Sequence, residues 1–170
     1  MKIRFLTDTD VTNYRKTSMV VGMPYCDGKC WRDLNAQGGN YDWSLCHNHS
    51  IRDEREIEIA VNDLASRYIS NPLSHAVVFA GMEPLLSIHQ IIAFIIYLRG
   101  ACRCEDDIVI YTGYNEDEKP VSDFINLLKT ADVSNVIVKF GRYIPGDEEH
   151  LDPVLGVKLA SKNQYARKIC

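Results

Sequence analysis

Apolar positions along this chain fall into two alternating patterns. Continuous apolar runs occur in SMVVG at 18–22, HAVVFA at 75–80, DIVIYTGY at 107–114 and NVIVKF at 135–140. Between them, apolar residues recur at helical spacing. Ile57, Val61, Leu64, Ala65 and Tyr68 form one such stripe, Leu85 to Leu98 a second, and Val121, Phe124, Ile125 and Leu128 within 117–129 a third. The breaker Asn71-Pro72 closes the first stripe, and Arg99 with Gly100 closes the second. A strand with no polar alternation is one covered on both faces. The pattern therefore predicts strand, helix, strand, helix, strand, helix, strand, which means an α/β fold with a mainly parallel sheet and right-handed crossovers. KIRFL at 2–6 and VLGVKL at 154–159 are expected to edge that sheet. Four such strands are too few to close an eight-stranded barrel, so the expectation is an open, curved partial (β/α) barrel. No repeat or second unit interrupts the pattern, and one domain over 1–170 is expected, with a turn-rich loop at about 31–45.

In sheets of this kind the ligand sits beyond the carboxyl ends of the strands. Three groups of polar and reactive residues fall there. The first is CDGKCWRDLNAQGGNYDWSLCHN at 26–48, which carries Cys26, Cys30 and Cys46 and follows the 18–22 strand. The second is Gly81-Met82-Glu83-Pro84, and the third is Thr112-Gly113-Tyr114. Two cysteines spaced C-x3-C with a third brought back by a folded loop make a tripod of thiolates, and a tripod leaves one coordination position of a metal or cluster open. A closed zinc site made of the same cysteines with His47 or His49 is the alternative on spacing alone. GMEP alone also suits an ordinary strand-to-helix corner with proline at the first helical position.

Composition narrows the setting. A chain of 170 residues buries enough surface to stand without cross-links. Its N-terminus, MKIRFLTDTD, has no apolar leader run, and no stretch approaches the ~20 apolar residues of a membrane span. A cytoplasmic location is therefore expected, where thiols stay reduced and clustered cysteines mean metal binding or redox chemistry. Cys102, Cys104 and Cys170 are expected as free thiols, and His75, His89 and His150 as surface or structural residues. Nineteen basic and twenty-three acidic residues leave a net charge of −4 scattered along the chain, with no tract for nucleic acid. Lys139 and Arg142 are expected to be solvated charges, the alternative being that they face an anionic group of a cofactor or partner.

Taken together, Cys26-x3-Cys30, the third cysteine in the CHN context at Cys46, the GMEP at 81–84 and the YTGY at 111–114 resemble the radical S-adenosylmethionine enzymes. The nearest group is the activating proteins of anaerobic ribonucleotide reductase, and the resemblance runs from about Lys16 through the SKNQ at 161–164. It implies a radical SAM type of partial barrel. It also implies a 4Fe-4S cluster held by Cys26, Cys30 and Cys46, with S-adenosyl-L-methionine on the open iron. Gly81, Met82, Glu83 and Pro84 would face the methionine end of that cofactor, and Tyr111, Thr112 and Gly113 would lie near it. The implied chemistry is homolytic cleavage of the sulfonium followed by hydrogen-atom abstraction from a glycine of a large glycyl-radical reductase, a protein substrate. A flavodoxin or ferredoxin would supply the electron. Glu83 would accept from the cofactor's ammonium, and the backbone of Met82 would stay available to it. The family spacing is C-x3-C-x2-C with an aromatic before the third cysteine. Here fifteen residues separate Cys30 from Cys46, Leu45 takes the aromatic's place, and Trp43 or Tyr41 is the candidate to replace it. A radical SAM enzyme with another substrate is the sibling reading.

Overall fold

The computed structural model describes residues 1–170. In chain order the strands are β1 (Lys2–Ile3), β2 (Phe5–Asp10), β3 (Ser18–Met23), β4 (Ile57–Glu58), β5 (Ala76–Gly81), β6 (Asp107–Tyr111), β7 (Val136–Phe140), β8 (His150–Leu151), β9 (Lys158–Leu159) and β10 (Tyr165–Lys168). The helices are α1 (Lys29–Ala36), α2 (Val61–Ile69), α3 (Ile88–Gly100) and α4 (Lys119–Ala131). Six strands make the central sheet in the order β10-β7-β6-β5-β3-β2. The four apolar runs are its parallel middle, β3, β5, β6 and β7, and antiparallel strands close each side. The architecture is mixed α/β with a mainly parallel, open sheet.

Strand alternation divides the interior in two. Met19, Val21, Met23, Val77, Phe79, Ile108, Ile110, Val136 and Val138 point to the face covered by α2, α3 and α4, whose Leu64, Tyr68, Phe94, Leu98, Phe124 and Leu128 complete the larger core. Val20, Ala76, Val78, Ala80, Val109 and Ile137 point the other way, toward Tyr14, Leu155 and Leu159. The residues on this second face are smaller. No helix covers them, and segments 11–16 and 152–166 lie across them instead.

Three details differ from the pattern-based expectation. Ile57 does not begin the first helix. It pairs with Ile3 in a two-stranded antiparallel ladder, and the helix starts at Val61. VLGVKL does not edge the sheet, because that position belongs to β10, which pairs antiparallel with β7 from Tyr165 opposite Phe140 to Lys168 opposite Ile137. Only Lys158 and Leu159 of VLGVKL form a ladder, with β8, while Leu155 and Leu159 plug the second face. Residues 84–87 form a short 3₁₀ turn ahead of α3, begun by Pro84 and capped by the Glu83 carboxylate.

Candidate functional site

The carboxyl ends of β3, β5, β6 and β7 open on one cavity of about 400 Å³. Its wall includes Cys26, Cys30, Cys46, Gly81, Met82, Glu83, Tyr111, Thr112 and Gly113, so three groups far apart in sequence meet there. Pro84 does not line it. That residue is buried behind the wall, where it starts the turn into α3. His47, Asn48, Lys139, Tyr143 and Gln164 also line the cavity; of these the sequence offers His47 as an alternative ligand and Lys139 as a partner of an anionic group, but gives no signal for Asn48, Tyr143 or Gln164 in its wall.

Each cysteine reaches the cavity by a different route. Cys26 follows β3 almost directly, and its neighbour Asp27 accepts from the Tyr114 hydroxyl at 2.7 Å. Cys30 sits in the first turn of α1, which starts from Gly28 in the left-handed conformation (φ 71°). There a side chain would also collide with Trp31. The chain then folds back through a lobe in which Asn35 bonds both polar groups of the Tyr41 backbone, and Trp31 meets Trp43 edge-on at 6.0 Å. The lobe ends at Cys46. Asn48, two residues on, donates from its side-chain amide to Gly81 O at 2.7 Å and so moors this third cysteine to β5. Neither Trp43 nor Tyr41 enters the cavity wall. Among the rings that do are His47 and Tyr143, tilted against each other with centroids 4.2 Å apart.

Two of the sulfur atoms share one feature. Backbone N–H groups donate to them, Gly28 N to Cys26 Sγ at 3.3 Å and Asn48 N to Cys46 Sγ at 3.4 Å, while Cys30 has the backbone of Tyr143 beside it. Such donors favour thiolate over thiol and are one of the levers by which proteins tune iron–sulfur centres. Burial opposes them, pushing the Cys26 thiol up to about 12 and raising that of Cys30 as well. Free in this pocket the two are neutral thiols, and a bound cationic centre is what would hold them ionised. No group of three or more His, Cys, Asp or Glu side chains is arranged to hold a single ion. What the three cysteines share is the cavity wall, and Cys26 and Cys46 each have an N–H donor on sulfur.

The GMEP segment is more occupied with its own chain than the sequence suggests. Met82 N donates to Met23 O at 3.3 Å and Glu83 N to Tyr25 O at 2.6 Å, so neither N–H is available to a ligand. Gly81 has φ 87°, and an added Cβ would lie 3.1 Å from Gly22 Cα and Met23 N, so the backbone of β3 is one close neighbour that requires glycine there. Glu83 is buried. Its Oε1 accepts from Leu85 N (3.0 Å) and Thr112 Oγ1 (2.7 Å), and its Oε2 from Gly113 N (2.8 Å). Burial raises its pKa to about 7 against the pull of those three donors. A carboxylate offers about four acceptor positions, which leaves one for a ligand.

Lys139 and Arg142 are not solvated charges. Lys139 is 7% exposed and Arg142 9%. The Lys139 ammonium donates to Gly141 O at 2.9 Å and has no carboxylate within ion-pair distance. Burial lowers its pKa to about 8, while Cys30 and Glu83 pull it back up. A buried cation without a counter-ion is costly, and this one faces the thiols. At the opposite ends of the strands Cys102, Cys104 and Cys170 pack against the edge of the larger core, well away from the cavity. No helix is long and apolar enough to cross a membrane. Residues 25–155 match the family described as 4Fe-4S single cluster domain, a span that begins just before Cys26 and covers most of the cavity wall. No curated protein matches the chain.

Proposed function

The chain belongs to the 4Fe-4S single cluster domain family, and from that premise we propose that it is a radical S-adenosylmethionine enzyme which installs the glycyl radical of an anaerobic ribonucleoside-triphosphate reductase. The observation that carries the reading is the meeting of Cys26, Cys30 and Cys46 with Gly81 to Glu83 and Tyr111 to Gly113 on one cavity wall. The three cysteines would hold the cluster and leave one iron open, and the strand-end residues would hold the cofactor beside it. When bound, the two groups supply one-electron cleavage of a carbon–sulfur bond and hydrogen-atom abstraction.

The chain's own residues prepare the place. N–H donors from Gly28 and Asn48 would offset the negative charge of the thiolates of Cys26 and Cys46. The Lys139 ammonium adds a fixed positive charge on the same wall. Glu83, held by Thr112 and Gly113, keeps one acceptor position for a ligand ammonium and fixes the ends of β5 and β6 relative to each other. At about 400 Å³ the cavity lies near the lower end for ligand sites. A cluster and a nucleoside-sized cofactor leave little space in it, which favours a target presented from outside, as a protein loop would be.

The test is anaerobic reconstitution followed by an assay for reductive cleavage of S-adenosylmethionine. Cleavage is expected in the native chain and is expected to disappear in Cys26→Ala, Cys30→Ala and Cys46→Ala, each with native circular dichroism. Cleavage that survived in one variant would remove that cysteine from the site. Addition of a class III reductase should then produce its glycyl radical signal, and cleavage without transfer to that protein would move the assignment to another substrate.

A further inference from the structure

We propose that Arg142 is a positioning residue that fixes Cys30 in the tripod through an ion network with Glu118, Lys29 and Asp33. The proposal rests on the reading of Cys30 as a cluster ligand. Helix α1, which carries Cys30, has no buried residue. Its larger apolar side chain, Trp31, is used inside the lobe against Trp43, so apolar packing does not seat the helix on the sheet. Charge does. Lys29 and Asp33 are four positions apart on one helical face and bracket Cys30. The Lys29 ammonium bonds the Glu118 carboxylate at the start of α4. Arg142 grips the same carboxylate with two nitrogens, at 2.7 and 2.8 Å, and its Nε stands 2.7 Å from Asp33 Oδ2. The Nε–H is not aligned on that oxygen, so this last contact is one of charge rather than a hydrogen bond.

The anchor itself is rigid. Arg142 lies in the loop after β7, and the SKNQ residues lock that loop. Asn163 Nδ2 donates to Arg142 O at 2.9 Å, Gln164 Nε2 to Gly141 O at 3.2 Å, and Ser161 Oγ accepts from Ile144 N at 2.9 Å. The backbone of the intervening Tyr143 lies beside the Cys30 sulfur. One loop thus flanks the cysteine with its backbone and anchors it by its guanidinium through α1. Cys26 and Cys46 have other moorings, through Asp27 at Tyr114 and through Asn48 at Gly81, so the network bears most directly on Cys30.

Hydrogen exchange on the iron-free full chain reads the network without the cluster. Arg142→Met is expected to speed exchange of the 29–36 amides about tenfold or more while 76–81 and 107–111 stay protected. Arg142→Lys is expected to recover part of the protection. Asp33→Asn, on the exposed side, should act in the same direction but less, and cannot unfold the body. After iron and sulfide loading, Arg142→Met should lose iron to a chelator about tenfold faster than the native chain. Salt at about 0.5 M should accelerate loss from the native chain more than from the variant. Unchanged exchange at 29–36 in both Arg142→Met and Asp33→Asn would overturn the proposal. A native chain that binds no iron, with 29–36 still loosened by Arg142→Met, would keep the network and overturn the cluster reading instead.

Discussion

Glu83 does two jobs that pull in different directions. As a buried carboxylate it is raised to about 7 by desolvation, yet it is the hub to which Leu85, Thr112 and Gly113 all donate. Thr112→Val keeps the shape and removes one donor from a buried acceptor, which costs roughly 1–3 kcal/mol. In a chain of this size that should lower Tm by several degrees, measured on the iron-free protein by thermal unfolding. An unchanged Tm would mean that the strand ends do not depend on this pin. Gly81 has a double meaning at the same scale. The resemblance puts it at the methionine end of the cofactor, where a missing side chain lets a ligand come close, and the geometry adds the backbone of β3 at 3.1 Å. The motif was legible as a motif, but the neighbour requiring its glycine was not, because that neighbour lies more than fifty residues earlier in the chain.

At the scale of elements, the helices that bury an apolar stripe were readable from their spacing, and α1 was not. Its sequence, KCWRDLNA, gives a core little to hold. Its partners Glu118 and Arg142 lie some ninety residues or more downstream, and charged residues at such separation carry no periodic signal. Ile57 misled for a related reason: it continues the helical stripe in sequence but spends its backbone on β1. The network around α1 gives the element a pH signature. Against its desolvation, Arg142 and Lys29 bring Glu118 down from 4.5 to about 2. A depressed carboxyl contributes stability that is fully present above its unfolded value and is lost as pH falls through the folded one. Screened by solvent at its open edge, the contribution is about 1–2 kcal/mol. Between pH 4.5 and about 2 the native chain should therefore lose stability more steeply than Glu118→Gln, in denaturant titrations at fixed salt. Parallel pH profiles for the two would remove Glu118 from the network.

For the molecule as a whole, the parallel middle of the sheet, its openness and the gathering of three motifs at one edge follow from uninterrupted apolar runs alternating with amphipathic helices. The covering of the second face does not. Segment 141–164 is held by side chains bonded to backbone, such as Asp152, which accepts from Val154, Leu155 and Ala166 N–H groups. Bonds of that kind leave no hydrophobic pattern, so the tail that fixes Arg142 and Tyr143 was the least legible part of the chain. The small residues Ala76, Val78 and Ala80 on that face give the tail room to lie close to the sheet. Both contributors to the site, the cysteine lobe and the tail, thus close on strand ends that the helices hold from behind.

The most direct measurement is electron paramagnetic resonance of the anaerobically reconstituted and reduced chain, with and without S-adenosylmethionine. The account predicts the signal of a reduced 4Fe-4S cluster that changes on addition of the cofactor, because a three-cysteine site leaves one iron open to it. A cluster signal indifferent to the cofactor, or a chain that takes up no iron and sulfide, would contradict it.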